Sequence, residues 1–470
     1  MTSTCKMWWL SIWVVFLCLP VSYGQVQQVD HQADASFIRK IYDQALTDCA
    51  AYSWLTHLSE DIGGRLAGSP QAAAAVSWAQ QLMDTLGFDS VWLQPCMVPH
   101  WVRGEREQVR VAASVLGSFD LRALALGNSV GTGPEGVLAE VVEVFTLKAV
   151  DSLGAALKDK IVFYNRPMDP TRINTFEAYG AAVDQRVFGA SRAARYGAKA
   201  VVVRSLTTRI DDIPHTGTLR YEEGVPAIPA LAISTRDAEL LHELLQKGPV
   251  QLYVRADAHM LPPVRSWNVI GEIRGSTHPD QIILVGGHLD SWDVGGGAHD
   301  DGAGCVHALA VIELLRKLNY RPKRTIRCVL FMNEENGMAG ARTYWAVSDS
   351  LEEYHMAAIE SDRGGFTPRG FTVDALPELL DQKFEAVMDW APLLEPYGLH
   401  LEKGGSGADI GGLRTQGALL FGFKPDPQRY FDFHHAETDR IQAVNKRELE
   451  LGAAAITALV YLLDKYGLPY

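Results

Sequence analysis

Two textures of hydrophobic and polar positions alternate along this chain. From Ser266 onward, short apolar runs alternate with longer stretches at helical spacing. Ile282-Ile283-Leu284-Val285 is apolar without interruption, which is the pattern of a strand buried on both faces. The spacing predicts a helix over about 303–318, strands at 325–332 and 355–359, a helix over 377–394, a strand at 418–421 and a last helix over 446–466. Strands alternating with helices imply an α/β fold, here a three-layer sandwich around a mostly parallel central sheet. On the N-terminal side, helices are expected over about 34–58 and 69–86. The second opens on Ser69-Pro70, a capping residue followed by proline at the first helical position, and stops at Gly87.

Between about 118 and 260 the texture changes. Lys160-Ile161-Val162-Phe163-Tyr164, a helical stretch over 190–196, Ala200-Val201-Val202-Val203 and a strand over 230–233 form a self-contained strand-helix-strand series. Leu261-Pro262-Pro263 reads as a return linker. A chain of 470 residues is too long for one ordinary domain. The expected organisation is therefore one domain built from 25–117 and 261–470, interrupted by an inserted α/β domain at 118–260.

Residues 1–24 read as a signal peptide. Lys6 supplies the positive end, Met7 to Val21 the apolar core, and Ser22 and Gly24 the small residues before a cut at Gln25. The expected location is secreted or periplasmic, with no membrane attachment after cleavage. The formal net charge is -13 and no basic run occurs, which argues against a nucleic-acid partner. The absence of any Asn-x-Ser/Thr sequon favours a bacterial periplasm. Of six cysteines, Cys49, Cys96, Cys305 and Cys328 lie beyond the leader; they form no Cys-x-x-Cys pair and fit either disulfides or buried thiols.

In a parallel α/β sheet, chemistry gathers at the carboxyl ends of strands. Those places carry Gly287-His288-Leu289-Asp290, then Ala298-His299-Asp300-Asp301-Gly302, Asn333-Glu334-Glu335-Asn336-Gly337, Glu360-Ser361-Asp362, and finally Phe433-His434-His435-Ala436-Glu437-Thr438-Asp439. Imidazole and carboxylate without thiolate is the donor set of a hydrolytic zinc site. His288 and Asp290 are two apart in an extended segment, so the carboxylate can orient the imidazole. Glu334 and Glu335 diverge, so one can bind metal while the other takes a proton from the attacking water. Asp300, at a loop-to-helix start, is the candidate bridge between two cations. Taken singly, an H-x-D or a Glu-Glu pair is more often a surface loop. Five such groups at matching places in one strand-helix series is a different matter.

The string from Gly287 to Gly304, G-H-L-D-S-W-D-V-G-G-G-A-H-D-D-G-A-G, together with 333–337 and 360–362, resembles the M28 family of co-catalytic zinc exopeptidases. Outside the site, Pro99-His100-Trp101, Gly133-Pro134-Glu135-Gly136 and Pro214-His215-Thr216-Gly217 are similar too, so the resemblance spans the mature chain. It implies two zinc ions per chain. One would be held by Asp300, Glu335 and His435, the other by His288, Asp300 and Asp362. Glu334 would be the base and Asp290 the support of His288. The resemblance further implies a protease-associated domain at 118–260, a cis peptide at Asp300-Asp301, peptide substrates and a homodimer.

Some residues depart from the family pattern. Arg440 stands where a threonine is usual. His434 stands where wider relatives carry a tyrosine, at a place suited to stabilising a tetrahedral oxyanion. Arg363 can meet a substrate carboxylate through its planar fork, or form a surface ion pair. Asp409 resembles a substrate-side position. The expected activity is hydrolysis of dipeptides and short peptides with free termini, as a dipeptidase or carboxypeptidase. The alternatives are an aminopeptidase acting on longer peptides and a non-catalytic binding protein on the same fold. His-Glu-x-x-His is absent, since His242-Glu243 has no second histidine at the required place.

Overall fold

The computed structural model describes Met1, Thr2 and residues 31–468. The leader expected at 1–24 falls almost wholly outside the described residues. Two eight-stranded mixed sheets organise the chain. The first runs in the order Ser90–Val102, His259–Ile273, Arg324–Phe331, His278–His288, Tyr354–Glu360, Leu419–Pro425, Pro368–Asp374, His400–Lys403. Its four central strands are parallel. Strand Arg324–Phe331 is buried along its whole length, as a parallel strand covered on both faces must be. Helices Ala303–Lys317 and Lys446–Tyr466 pack against this sheet, and both bury most of their residues.

The second sheet is ordered Phe119–Leu121, Glu107–Ala113, Gln251–Ala256, Val137–Val144, Ile161–Tyr164, Ala200–Arg204, Ala230–Ile233, Ala123–Ala125. Strand Glu107–Ala113 already belongs to it, ahead of residue 118. The two sheets are joined by a long antiparallel ribbon, Ser90–Val102 against His259–Ile273. Leu66, Trp101 and Trp292 enter the core of the second sheet from outside it. Trp292, from the loop after His278–His288, meets the Trp101 ring edge-on at 6.3 Å.

Local structure departs from the sequence-based expectation at two helices. The stretch expected as one helix over 34–58 breaks between His31–Thr47 and Ala51–Thr56, where the Ala50 N–H leaves the helical ladder and donates to Glu313. The helix expected over 377–394 stops at Met388 and restarts as Ala391–Leu394. Pro392 has no N–H to continue the ladder. Cys49, Cys96, Cys305 and Cys328 are all free thiols. No helix among the described residues is long and apolar enough to cross a membrane.

Candidate metal centre

The site lies where the parallel strands of the first sheet end. His288 is the last residue of His278–His288 and is buried. Its Nδ1–H donates to the Asp290 main-chain carbonyl at 2.9 Å. This turns Nε2 toward Asp300 Oδ1 at 3.3 Å and Asp362 Oδ1 at 3.4 Å. The Asp290 carboxylate lies 3.9 Å from His288 Nδ1 and has another task. It accepts the Asn333 N–H at 2.6 Å and the Glu334 N–H at 3.0 Å, tying the Glu334–Glu335 loop to the His288 loop. Asn333, in the left-handed region at φ 72°, makes the turn that presents the glutamates.

Asp300 occupies the middle. Its N–H and that of His299 donate to the two oxygens of Asp439, at 3.1 and 2.7 Å. The Asp300-Asp301 peptide is cis. Asp301 faces the other way, accepting the N–H groups of His288 and Gly304 at 3.0 Å each. Gly304 has to be glycine, because a Cβ there would lie 1.8 Å from the Ser361 carbonyl. Asp300 Oδ1 faces His288, and Oδ2 faces His435 Nε2 at 3.3 Å. His435 Nε2 also lies 3.2 Å from Glu335 Oε2. His434 stacks on His435 with ring centres 3.4 Å apart, its Nε2 3.9 Å from Asp300. The second sheet braces this pair. His215 Nδ1–H donates to the His434 carbonyl at 2.7 Å, and the Thr216 N–H to the His435 carbonyl at 3.0 Å.

A buried group of this kind is electrostatically tense. Burial pushes the Asp300 carboxyl up, but His288 and His435 outweigh it and hold the group well below the usual range. Burial lowers His435, yet Glu335 and Asp300 bring it up to about 9. Burial raises Glu335 to about 7 and lifts Glu334 well above its normal value, with Asp362 and Glu335 adding repulsion. Asp300 Oδ2 and Glu335 Oε1 are buried without hydrogen-bond partners. Buried carboxylate oxygens left unpaired demand a cation. Three donor sets each lie within 4.8 Å: His288, Asp300 and Glu335; His288, Asp301 and Asp362; Asp300, His434 and His435. The donors are nitrogen and oxygen only, on both sides of Asp300, and they fit zinc.

The centre opens into a cavity of about 650 Å³. Asp300, Glu334, Glu335, Asp362, His434 and His435 line it on one side. Two sequence candidates sit elsewhere. Arg363 does not line the cavity; its guanidinium lies over Phe176 and donates to the Gly405 carbonyl at 3.2 Å. Asp409 is fully buried behind the lining residue Ala408. Sequence reasoning missed Tyr179, Arg186 and Tyr430, which line the cavity, and Arg65, which pins the His288 loop. The aromatic run ending at His434 signalled Tyr430. The Pro214-His215-Thr216-Gly217 string pointed to the second sheet without a role, and nothing local marked Arg186 or Arg65.

The sequence pattern of peptidase family M28 matches residues 268–460. Carboxypeptidase Q from Bos taurus is 34% identical over 417 residues, 88% of this chain and 85% of that protein. The chain belongs to peptidase family M28. It is a metallopeptidase of that family, a zinc-dependent exopeptidase. Carboxypeptidase Q from Homo sapiens is 34% identical over 416 residues, covering 88% of this chain and 85% of its own. The structure of a peptidase M28 precursor from Shewanella amazonensis superposes with a TM-score of 0.88 at 32% identity, covering 94% of this chain and 99% of that one. A zinc aminopeptidase from Bacillus subtilis shares the fold, with a TM-score of 0.63 at 22% identity over 88% of this chain and 94% of that one.

Proposed function

We propose that this M28 peptidase is a di-zinc dipeptidase or carboxypeptidase acting on dipeptides and short peptides with free termini. The observation that carries the reading is Asp300, which offers one oxygen beside His288 and the other beside His435. One zinc is assigned to Asp300, Glu335 and His435, and the other to His288, Asp300 and Asp362. When bound, zinc supplies Lewis-acid activation of water and of the scissile carbonyl. Glu334 lines the cavity next to these ligands. It takes the proton from the attacking water and delivers it to the leaving amine. Asp290 positions Glu334 through the loop amides rather than by touching substrate. His434, stacked on His435, faces the cavity at a place suited to an N–H donor for the tetrahedral oxyanion. The second sheet is assigned as a protease-associated domain that walls the cavity and favours short substrates. Secretion or periplasmic export, which the pattern of residues 1–24 supports, and homodimerisation complete the proposal.

The test is hydrolysis of a dipeptide panel by residues 25–470, before and after chelation and again after zinc is restored. Cleavage that disappears with the chelator and returns with zinc is expected. Glu334→Gln should keep its zinc and lose about 10²- to 10⁴-fold in kcat, the usual worth of a general base. An active Glu334→Gln enzyme would overturn the base assignment.

A further inference from the structure

A buried guanidinium stands in the cavity wall without an acidic partner. Arg186 lies on helix Asp184–Ala194 of the second sheet's unit and is 5% exposed. One Nη donates to the Tyr179 hydroxyl at 2.7 Å, and the other makes a long 3.5 Å contact to the Thr216 carbonyl. Its Nε is buried with no partner, and among the described residues it forms no ion pair. A guanidinium carries five N–H donors, and taking it out of water uncompensated is costly. What the group lacks is an anion.

Its place says which anion. Arg186 lines the cavity that holds Asp300, Glu334 and Asp362. A Cβ added to Gly217 would lie 2.4 Å from Arg186 Nη1 and 2.7 Å from His435 Nδ1, so the cation and the candidate ligand converge on one spot. Arg220 and Arg342 also line the cavity, but both are exposed, and Arg342 donates to the Gly337 carbonyl. A substrate whose scissile carbonyl sits at the carboxylate-rich centre therefore has a buried cation beside its leaving-group end. We infer that Arg186 is a carboxylate-anchoring residue, which receives the α-carboxylate of a short peptide one residue beyond the scissile bond. The inference rests on the peptidase reading and deepens it, since it specifies substrates with a free C-terminus and little chain beyond the cut. The planar fork suits a carboxylate, and the Tyr179 bond holds the fork in place.

The test compares zinc-loaded wild type, Arg186→Met and Arg186→Lys on three substrates: an alanyl dipeptide, its C-terminal amide, and the amide of a dipeptide ending in glutamate. Wild type should prefer the free acid over the amide by roughly 10- to 150-fold in kcat/KM, the range of one charge-assisted hydrogen bond. In Arg186→Met that ratio should collapse toward unity, with Arg186→Lys in between. Zinc content and thermal unfolding of the variants separate a lost anchor from a lost fold. Equal wild-type cleavage of acid and amide would overturn the inference while leaving the peptidase reading intact. Equal loss on both substrates in Arg186→Met would overturn it as well. Rescue of the neutral amide by the glutamate side chain would reassign the anion to that side chain and so overturn the α-carboxylate assignment. If the zinc-loaded wild type cleaved none of the three, the proposed dipeptidase reading on which the inference rests would fall.

Discussion

Arg65 is the residue whose replacement tests most directly how the metal-site loop is held. It is fully buried. Its Nε donates to the Leu289 carbonyl at 2.6 Å, and its Nη atoms to the carbonyls of Gly296 and Gly297 at 2.8 and 3.1 Å. One planar group thus spans the loop from His288 to Asp300; burial works against its charge and prevails, with Asp439, Asp290 and Asp301 offsetting part of that cost. Hydrogen bonds to charged groups contribute about 1.5–3 kcal/mol each, so three sum to roughly 4–9 kcal/mol if independent. Bonds sharing one side chain are not independent, and about 3–6 kcal/mol is the working expectation for Arg65→Met. That is a large share of a stability of about 5–15 kcal/mol. Arg65→Lys keeps the charge but has one ammonium for three carbonyls, so it should lose less. Urea unfolding of the metal-free proteins measures this, with zinc affinity by chelator competition as a second readout. An Arg65→Met protein within about 1 kcal/mol of wild type, binding zinc normally, would refute the argument that this guanidinium sets the loop.

Gly127→Ala should destabilise by about 1–3 kcal/mol, the usual cost of overpacking, because the new Cβ would lie 1.8 Å from Trp292 Cη2. Trp292 meets the His435 ring edge-on at 5.6 Å, so kcat should fall as well; unchanged thermal unfolding would count against it. Acid should weaken the fold through buried neutral histidines. Burial lowers His307 and His355 from 6.5 to about 4. A depressed histidine is protonated first in the unfolded chain, so stability is complete above 6.5 and falls as pH drops toward 4, by about 1.4 kcal/mol per pH unit per histidine. Urea titrations across that window should show His355→Gln with a shallower acid limb than wild type, and identical slopes would refute the assignment.

The strand-end chemistry was legible because each candidate sits in a short local string whose glycines and carboxylates carry the geometry. Gly287 and Gly304 mark where backbones cross closely, and Asp300 follows a glycine run that can turn sharply. What was illegible depends on partners distant in sequence. Arg65 reaches carbonyls more than 220 residues away, and its surroundings, Gly64 and Leu66, carry no signal of chemistry. Arg363 could be read either as a substrate cation or as a surface ion pair from its place after Asp362; adjacency in sequence sends its side chain to another face, toward Phe176. The break near Ala50 depends on Glu313, which no helical periodicity could report.

The second sheet is more than a lid placed beside a finished centre. Arg103, at the end of the connecting ribbon, holds Asp293 through both oxygens at 2.6 and 2.7 Å and Glu107 at 2.9 Å. Asp293 follows Trp292, which is buried in the core of the second sheet. From the other side, His215 and Thr216 hold the carbonyls of His434 and His435, and His435 sits in the left-handed region at φ 62°. An unsupported histidine visits that region at a cost of about 1–3 kcal/mol. Two loops that present opposite sides of the metal centre are therefore both anchored in the second sheet. The first sheet alone supplies the donor residues. Their mutual distances, and the cationic wall that faces them, depend on the second sheet being folded and docked.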